Sequence, residues 1–101
     1  MELAIRKRLD IFIEGHALAH TEEMLGQSGF KGWSVFQGVE GSGAHGSWRQ
    51  TGIGETSACL VVAIGDDAMC SSALEWLADY FKTYPGVVAV SEVSVMRTER
   101  F

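Results

Sequence analysis

A glycine-rich segment organises this sequence: Gly32–Gly46, which reads GWSVFQGVEGSGAHG. Its first half carries apolar residues at alternating positions and predicts a strand. The chain then crosses five glycines between Gly41 and Gly54 before a second apolar strand begins at Ala58. That crossing is about three times as long as the two to five residues that usually close a hairpin. We therefore expect a loop that is either mobile or ordered by a ligand, because closely spaced glycines let backbone N–H groups approach an anion.

Length and composition indicate one domain, residues 1–101, that associates with copies of itself. The chain has 101 residues, enough for a single modest core, yet 47% of them are hydrophobic, a high share for a small monomer. No apolar run approaches the roughly 18 residues of a membrane span, and the charged start Met1–Arg8 lacks the apolar stretch of a signal peptide. We therefore expect a cytoplasmic protein without a transmembrane segment. A net charge of −5 argues against a general nucleic-acid binder.

The periodicity of apolar residues alternates between strand and helix along the chain. The first half is predicted to contain a strand Arg6–Glu14, a helix from about His16 to Ser28 that Gly29 ends, and a strand Lys31–Glu40. The second half is predicted to contain a strand Ser57–Gly65, a helix, and a strand Val87–Met96. Asp66 or Asp67 caps that helix, which runs to Tyr84 before Pro85-Gly86. Right-handed crossovers then place both helices on one face of a four-stranded antiparallel sheet. The sequence therefore predicts an α+β fold of the ferredoxin-like type.

The third and fourth predicted strands are apolar on both of their faces. A sheet with helices on one side only would leave an exposed apolar patch larger than a monomer tolerates. We therefore expect the open faces of several copies to turn inward and meet, either in a dimer or in a trimer whose three sheets enclose a central core. Val61 or Val90 is expected to lie on that inward face.

Two other groups of residues, a histidine pair and the two cysteines, are candidates for metal sites. His16 and His20 are four residues apart on a predicted helix with Glu23 nearby, a spacing typical of a metal-binding pair, although no third ligand is evident. Cys59 and Cys70 are too few for a zinc site. Both are expected to be small buried apolar residues in a reducing cytoplasm.

Three short motifs follow one another along nearly the whole chain. Gly32–Val35 reads GWSV, Gly41–Gly46 reads GSGAHG, and Arg97–Arg100 reads RTER. In this order they resemble the Gly-Met-Thr-Val strand, the Gly-Phe-Gly-Arg-Gln-x-Gly start of the T-loop and the closing Arg-Thr-Gly-Glu-Arg of PII-family signalling proteins. The two arginines near the chain end also suit bidentate contacts to phosphate.

The resemblance implies a PII-like homotrimer that binds an adenine nucleotide between its subunits, with no catalytic residue and no metal. The nucleotide-binding residues that it implies are Ser34, Gly41, Ser42, Gly43, His45, Gly86, Arg97 and Arg100. It also implies bicarbonate as a co-ligand where backbone N–H groups converge, at Gly41, Gly43 and Gly46.

Departures from the family pattern favour one branch of it. No tyrosine, the residue that is modified in the classical family, occurs between Gly41 and Thr56. The second phosphate-binding loop is reduced to Tyr84–Val87 without a lysine, and Val95 stands where the family carries an arginine. The stretch Tyr84–Val95 resembles the PII-like branch linked to inorganic carbon, which includes a bicarbonate-transporter regulator and a carboxysome-associated protein. We therefore expect ADP or AMP to bind at least as well as ATP.

The predicted function is that of a non-enzymatic sensor which binds ADP, AMP or ATP with bicarbonate. Its T-loop would change order and regulate a partner in inorganic carbon metabolism, such as a bicarbonate transporter or a carboxysome-linked protein. Residues Ser42–Glu55 are expected to lack order in the free protein, with Trp48 either contacting a partner or folded back on its own subunit. Two alternatives stay open: a CutA-like metal-associated trimer that uses His16 and His20, and a small oligomeric enzyme of the same fold, for which only His45 offers a base.

Overall fold

The computed structural model describes residues 1–43, 46–49 and 57–100, with only the backbone described at residue 100. Its strands are β1 (Ala4–Glu14), β2 (Trp33–Gln37), β3 (Glu40–Gly43), β4 (Gly46–Arg49), β5 (Ala58–Gly65) and β6 (Val87–Val95), and its α-helices are α1 (Leu18–Gln27) and α2 (Asp67–Tyr80). Short 3-10 turns, Gly15–Ala17 and Thr98–Arg100, precede α1 and follow β6. Neither helix of this described part is long and apolar enough to cross a membrane.

Four of the strands form one antiparallel sheet in the order β2–β5–β1–β6. Strand β1 lies inside this sheet and pairs with β5 from Lys7 to Glu14 and with β6 from Ala4 to Phe12. Sequential elements run strand, helix, strand, then strand, helix, strand, with the β3–β4 hairpin inserted between the halves. The predicted ferredoxin-like fold is confirmed.

The hydrophobic core lies between the two helices and one face of the sheet. Side chains of a strand alternate between its two faces, so every second residue of β1 and β5 points toward the helices. Almost complete burial marks the residues that meet there from the sheet and the helices: Leu9, Ile11, Val61, Ala63, Leu25, Cys70, Ala73 and Leu77. The Trp33 Nε1–H also donates to Glu22 Oε2 at 2.9 Å, which ties β2 to α1.

The helix caps follow the sequence, except at the end of α2. Gly29 has a φ of 100° directly after α1, the left-handed conformation that glycine supplies at helix ends. The side chain of Asp66, rather than that of Asp67, accepts the hydrogen bond from the Met69 N–H at 2.8 Å and caps α2. The helix ends at Tyr80, four residues before the predicted position, and the chain continues in turns, in which the Tyr84 N–H donates to the Tyr80 carbonyl at 3.1 Å.

The second predicted strand is divided in two. Residues Trp33–Gln37 pair with β5, and the Gly38 N–H donates to the Ala58 carbonyl at 2.8 Å. Beyond that bond the chain leaves the sheet and forms β3, which pairs with β4. The prediction of a loop without order between Ser42 and Glu55 is wrong for residues 42–43 and 46–49, which lie in strands. The rest of that segment lies outside the described residues.

The sheet face away from the helices, called the open face below, carries a row of apolar side chains. The strand register places Phe36, Leu60, Phe12 and Val87 side by side across all four strands, and three of them are exposed by 45–57%. Strand β5 is apolar on both faces, as the sequence predicts, because Leu60, Val62 and Ile64 share the open face.

The prediction that Val61 or Val90 lies on this open face is wrong. Val61 is fully buried in the core, and Val90 pairs with Leu9, whose side chain points toward the helices. Because cross-strand partners share a face of the sheet, both valines lie on the helix side, where Val90, on the edge strand β6, is 47% exposed. Sequence alternation alone left the choice of face open in strands that are apolar on both sides.

The cap at α2 yields a stability prediction. We expect Asp66→Ala to lower the free energy of unfolding by about 1 kcal/mol, since the Met69 N–H loses its partner. Urea unfolding at one fixed protein concentration measures the change.

Asp67→Ala is the matched control for this variant. Asp67 lies in the same turn, and its side chain forms an exposed ion pair with Lys7 at 3.4 Å. We expect the Asp67→Ala substitution to cost about 0.5 kcal/mol or less. Equal losses in the two variants would contradict the assignment of the cap to Asp66.

Candidate functional site

The β3–β4 hairpin presents two glycines whose surroundings are open. Gly43 lies opposite Gly46 at the tip of the ladder, and a side chain at either position would meet no atom of the described residues within 4 Å. Gly46 has a φ of 95°, a conformation that favours glycine. Ser42 is exposed on β3 and faces Ser47 across the ladder. Backbone and hydroxyl groups at this tip are therefore accessible to a small anion.

Gly41 is different, because an aromatic ring covers it. It pairs with Trp48 across the hairpin, and a β-carbon built at Gly41 would stand only 2.7 Å from the indole Cζ2 atom. The presence of glycine here is explained by ring packing, whether or not a ligand also binds. Trp48 is therefore folded back on its own chain, one of the two alternatives that the sequence left open.

The predicted arginines lie after β6. Arg97 adopts a φ of 65°, and its Nε atom is 3.6 Å from Glu99 Oε1 in an exposed ion pair. The Lys31 Nζ atom donates to the Glu99 backbone carbonyl at 3.3 Å, so that the C-terminal turn contacts the residue just before β2. Arg100 belongs to this turn by its backbone. Sequence reasoning did not single out Lys31 or Glu99, although the opposite charges within Arg97–Arg100 were a visible signal.

The hairpin and the C-terminal turn lie at opposite ends of the sheet. The hairpin leaves the sheet beside Ala58, which pairs with Glu14 at one end of β1, whereas Arg97 follows Val95, which pairs with Ala4 at the other. Ten strand steps separate those ends, or about 33 Å at about 3.3 Å per residue. One copy of the chain therefore does not bring Arg97 to the glycines of its own hairpin.

Gly86 occupies a third corner. It precedes Val87, the first residue of the edge strand β6, which pairs with Phe12 of β1. The hairpin extends from β2, the other edge strand. The φ of Gly86 is 149°, and an added β-carbon would clash with the Phe81 ring and lie 2.7 Å from the Phe12 carbonyl oxygen. Glycine is thus required at this position by packing. Ser34 is exposed on the open face of β2, opposite Val62.

The remaining candidates do not form a reactive centre in the part of the chain that the structure describes. His16 Nε2 lies 3.0 Å from Glu14 Oε1 and its ring rests against Tyr84; no cluster of three metal-ligating side chains occurs among residues 1–43, 46–49 and 57–100. Burial raises the pKa of the Cys59 and Cys70 thiols, which disfavours reactive thiolates. His45, the base of the enzyme alternative, lies outside the described residues.

Comparison with known protein families decides the classification. The sequence profile of the family described as nitrogen regulatory protein P-II matches residues 6–100. The chain belongs to the P-II family. The resemblance stated from three motifs is thereby confirmed, and neither the CutA-like nor the enzyme alternative gains support from it. A comparison with curated proteins found no match.

Solved structures of PII-like proteins are similar to this P-II chain over almost its whole length. CPII from Thiomonas intermedia K12, bound to ADP, AMP and bicarbonate, is 25% identical with a TM-score of 0.89, and the alignment covers 99% of this chain and 96% of that one. A second CPII structure, bound to ADP and bicarbonate, has the same identity, a TM-score of 0.86 and coverages of 99% and 97%. A PII-like signaling protein from Thermus thermophilus, at 22% identity and a TM-score of 0.85, with coverages of 100% and 99%, shares the fold.

The geometry at Gly86 yields a prediction that separates packing from ligand binding. We expect Gly86→Ala to destabilise the protein by about 1–3 kcal/mol, because alanine strains this φ and meets the Phe12 carbonyl. Urea unfolding without any nucleotide measures this loss.

Gly32→Ala is the matched control, since a side chain at Gly32 meets no atom within 4 Å. Its stability should stay within about 0.5 kcal/mol of the wild-type value. A Gly86→Ala protein as stable as the wild type would leave ligand binding as the reason for this glycine.

Proposed function

We propose that this P-II chain is a regulatory protein without catalytic activity that binds adenine nucleotide between the subunits of a homotrimer, with bicarbonate as a second ligand. The similarity to CPII carries the proposal: at 25% identity and nearly complete coverage, that protein binds ADP, AMP and bicarbonate. The physiological nucleotide is then ADP, AMP or ATP, and no metal or catalytic residue takes part.

The positions of the candidate residues support a site between subunits. Arg97 and Arg100 follow β6 at one end of the sheet, and the hairpin glycines lie beyond the other end. A second copy therefore has to supply one of the two groups. We assign Ser34, Ser42, Gly43, Gly86 and His45, with Gly41 and the two arginines, to the nucleotide, and Gly41, Gly43 and Gly46 to bicarbonate. Guanidinium groups and free backbone N–H groups are the donors that phosphate and bicarbonate oxygens accept from.

The open face supports the trimer. A continuous apolar row from Phe36 to Val87 across four strands is an unfavourable surface to leave in water. Three copies that turn these faces inward would cover the row and bring the hairpin of one subunit toward the C-terminal turn of another.

The β3–β4 hairpin is the proposed output of the sensor. It extends beyond the edge strand β2, and its described residues form a separate two-stranded ladder. Ligand bound at its glycines would change the population of hairpin conformations that a partner recognises. The proposed partner is a cytoplasmic component of inorganic carbon metabolism, such as a bicarbonate transporter or a carboxysome-linked protein.

A charge on the open face tests the assembly. We expect Leu60→Asp to convert the wild-type trimer into monomers, because each interface would bury an unpaired carboxylate. Light scattering at micromolar concentration gives the mass, and far-UV circular dichroism shows that the protomer stays folded. Ala68→Asp, on the exposed first turn of α2, introduces the same charge and should remain trimeric. A monomeric wild-type protein would exclude this assembly and the site between its subunits.

Calorimetry with ADP, AMP and ATP, each with and without bicarbonate, tests the ligands. We expect ADP or AMP to bind at least as tightly as ATP without metal, since the turn at Gly86 has no lysine and position 95 carries valine instead of an arginine that could contact the outer phosphates. Arg97→Ala should weaken ADP binding about tenfold or more, because one charge-assisted contact contributes about 1.5–3 kcal/mol.

Lys82→Ala is the control for the loss of one positive charge. Lys82 is exposed and pairs only weakly with Asp79 at 3.8 Å, so its removal should leave ADP affinity unchanged. Binding of ATP more than about tenfold tighter than ADP would contradict the expected phosphate contacts, and failure of all three nucleotides to bind would refute the proposed function.

A further inference from the structure

Trp48 is the large aromatic side chain of the described hairpin residues, and the proposed ligand site does not use it. Its indole lies across the ladder on Gly41 and reaches past it to Gly38. A β-carbon at Gly41 would stand 2.7 Å from Cζ2 and 2.9 Å from Cε2, and one at Gly38 would stand 3.0 Å from Cη2. Neither position leaves room for a larger residue beside the ring. An aromatic ring packed on a cross-strand glycine is a known means of stabilising a β-ladder.

The indole joins the hairpin to the main sheet. Gly38 is the last residue before the hairpin whose N–H bonds to β5, and the Ala58 side chain packs on the same side of it. Trp48 therefore extends from β4 across β3 to the point where the chain leaves the sheet. The ion pair between Arg49 and Glu40 also joins β4 to β3, but it is exposed and 3.4 Å long, so it contributes little to the stability of the hairpin. The ring is 40% exposed although it stands on a projecting hairpin.

We propose that Trp48 is a latch that holds the hairpin against the end of the sheet and competes with ligand for Gly41. The indole occupies the space beside Gly41 that the absence of a β-carbon would otherwise leave open to an anion. A ligand that approaches from this side has to displace the ring, and displacement frees the hairpin from Gly38. The competition rests on the proposed function, whereas the latch itself rests on the contacts with Gly38 and Gly41 alone.

Coupling follows from this geometry. Only molecules in which the ring has left Gly41 can bind the ligand. The apparent affinity therefore equals the intrinsic affinity multiplied by the fraction of unlatched molecules. Ligand binding in turn raises the fraction of unlatched hairpins, which is the change that a partner can read. Trp48 thus sets both the ligand concentration at which the sensor responds and the conformation that reports it.

Limited trypsin digestion of the full-length protein tests the latch. Arg49 is the only lysine or arginine between Lys31 and Lys82, so cleavage there produces the distinctive fragments 1–49 and 50–101. We expect Gly41→Ala to accelerate this cleavage by about fivefold or more, because a methyl group displaces the indole and opens the hairpin. The substitution leaves the residues next to the cleaved bond unchanged.

Gly43→Ala is the matched control for cleavage. It adds the same methyl group to the same strand, in a place where the described part of the chain has no atom within 4 Å, and it should be cut at the wild-type rate. Trp48→Ala should be cut at least as fast as Gly41→Ala once its rate is corrected with a peptide of residues 46–52 carrying the same change. Equal cleavage of wild type, Gly41→Ala and Trp48→Ala would overturn the latch.

Calorimetry with ADP separates the latch from the proposed function. We expect Trp48→Ala to bind ADP about threefold or more tightly than the wild type, because the competing ring is gone, while Lys82→Ala, at an exposed residue outside the hairpin, keeps the wild-type affinity. Unchanged or weaker binding by Trp48→Ala would overturn the competition. If neither protein binds ADP, the proposed function fails, and the cleavage rates alone decide whether the latch exists.

Discussion

The pairing of β1 along both of its edges is the constraint on which the rest of the structure depends. This strand of 11 residues bonds to β5 on one side and to β6 on the other, so its length determines how far apart the two ends of the sheet lie. The hairpin continues from one end and the C-terminal turn from the other. Their separation is a property of the backbone ladder, and no choice of side chain shortens it. A site that needs both therefore needs two copies.

The two faces of the sheet differ in what covers them. One face packs on the helices through small and branched residues such as Ala63 and Val61, which are buried almost completely. The other carries the apolar row next to the ion pair between Arg8 Nε and Asp10 Oδ1, 2.8 Å apart. Arg8 and Asp10 neutralise each other within one chain, so this pair adds no unpartnered charge to the face that carries the apolar row.

Three of the described glycines, Gly41, Gly43 and Gly86, have three different surroundings. At Gly86 a side chain would collide with the Phe12 carbonyl, at Gly41 it would collide with the indole of Trp48, and at Gly43 it would meet nothing. Only the third environment leaves the backbone free for a ligand without rearrangement. Some glycines are therefore required by packing and others are available for binding. The sequence alone does not distinguish them, because each is simply a glycine.

The sequence by itself determined the order of the elements, the apolar character of both faces of β5, and the family. Each of these follows from local periodicity, from residues such as Asp66 and Gly29 whose conformational preferences act within one turn, or from the spacing of three motifs. Only the tertiary structure decided which face of the sheet receives the helices, and it placed Val61 in the core. It also ordered the start of the predicted loop, because the contact between Trp48 and Gly41 joins residues seven positions apart through a strand pairing that composition does not reveal. Long-range register, which depends on which strands meet, was the information that the sequence alone did not contain.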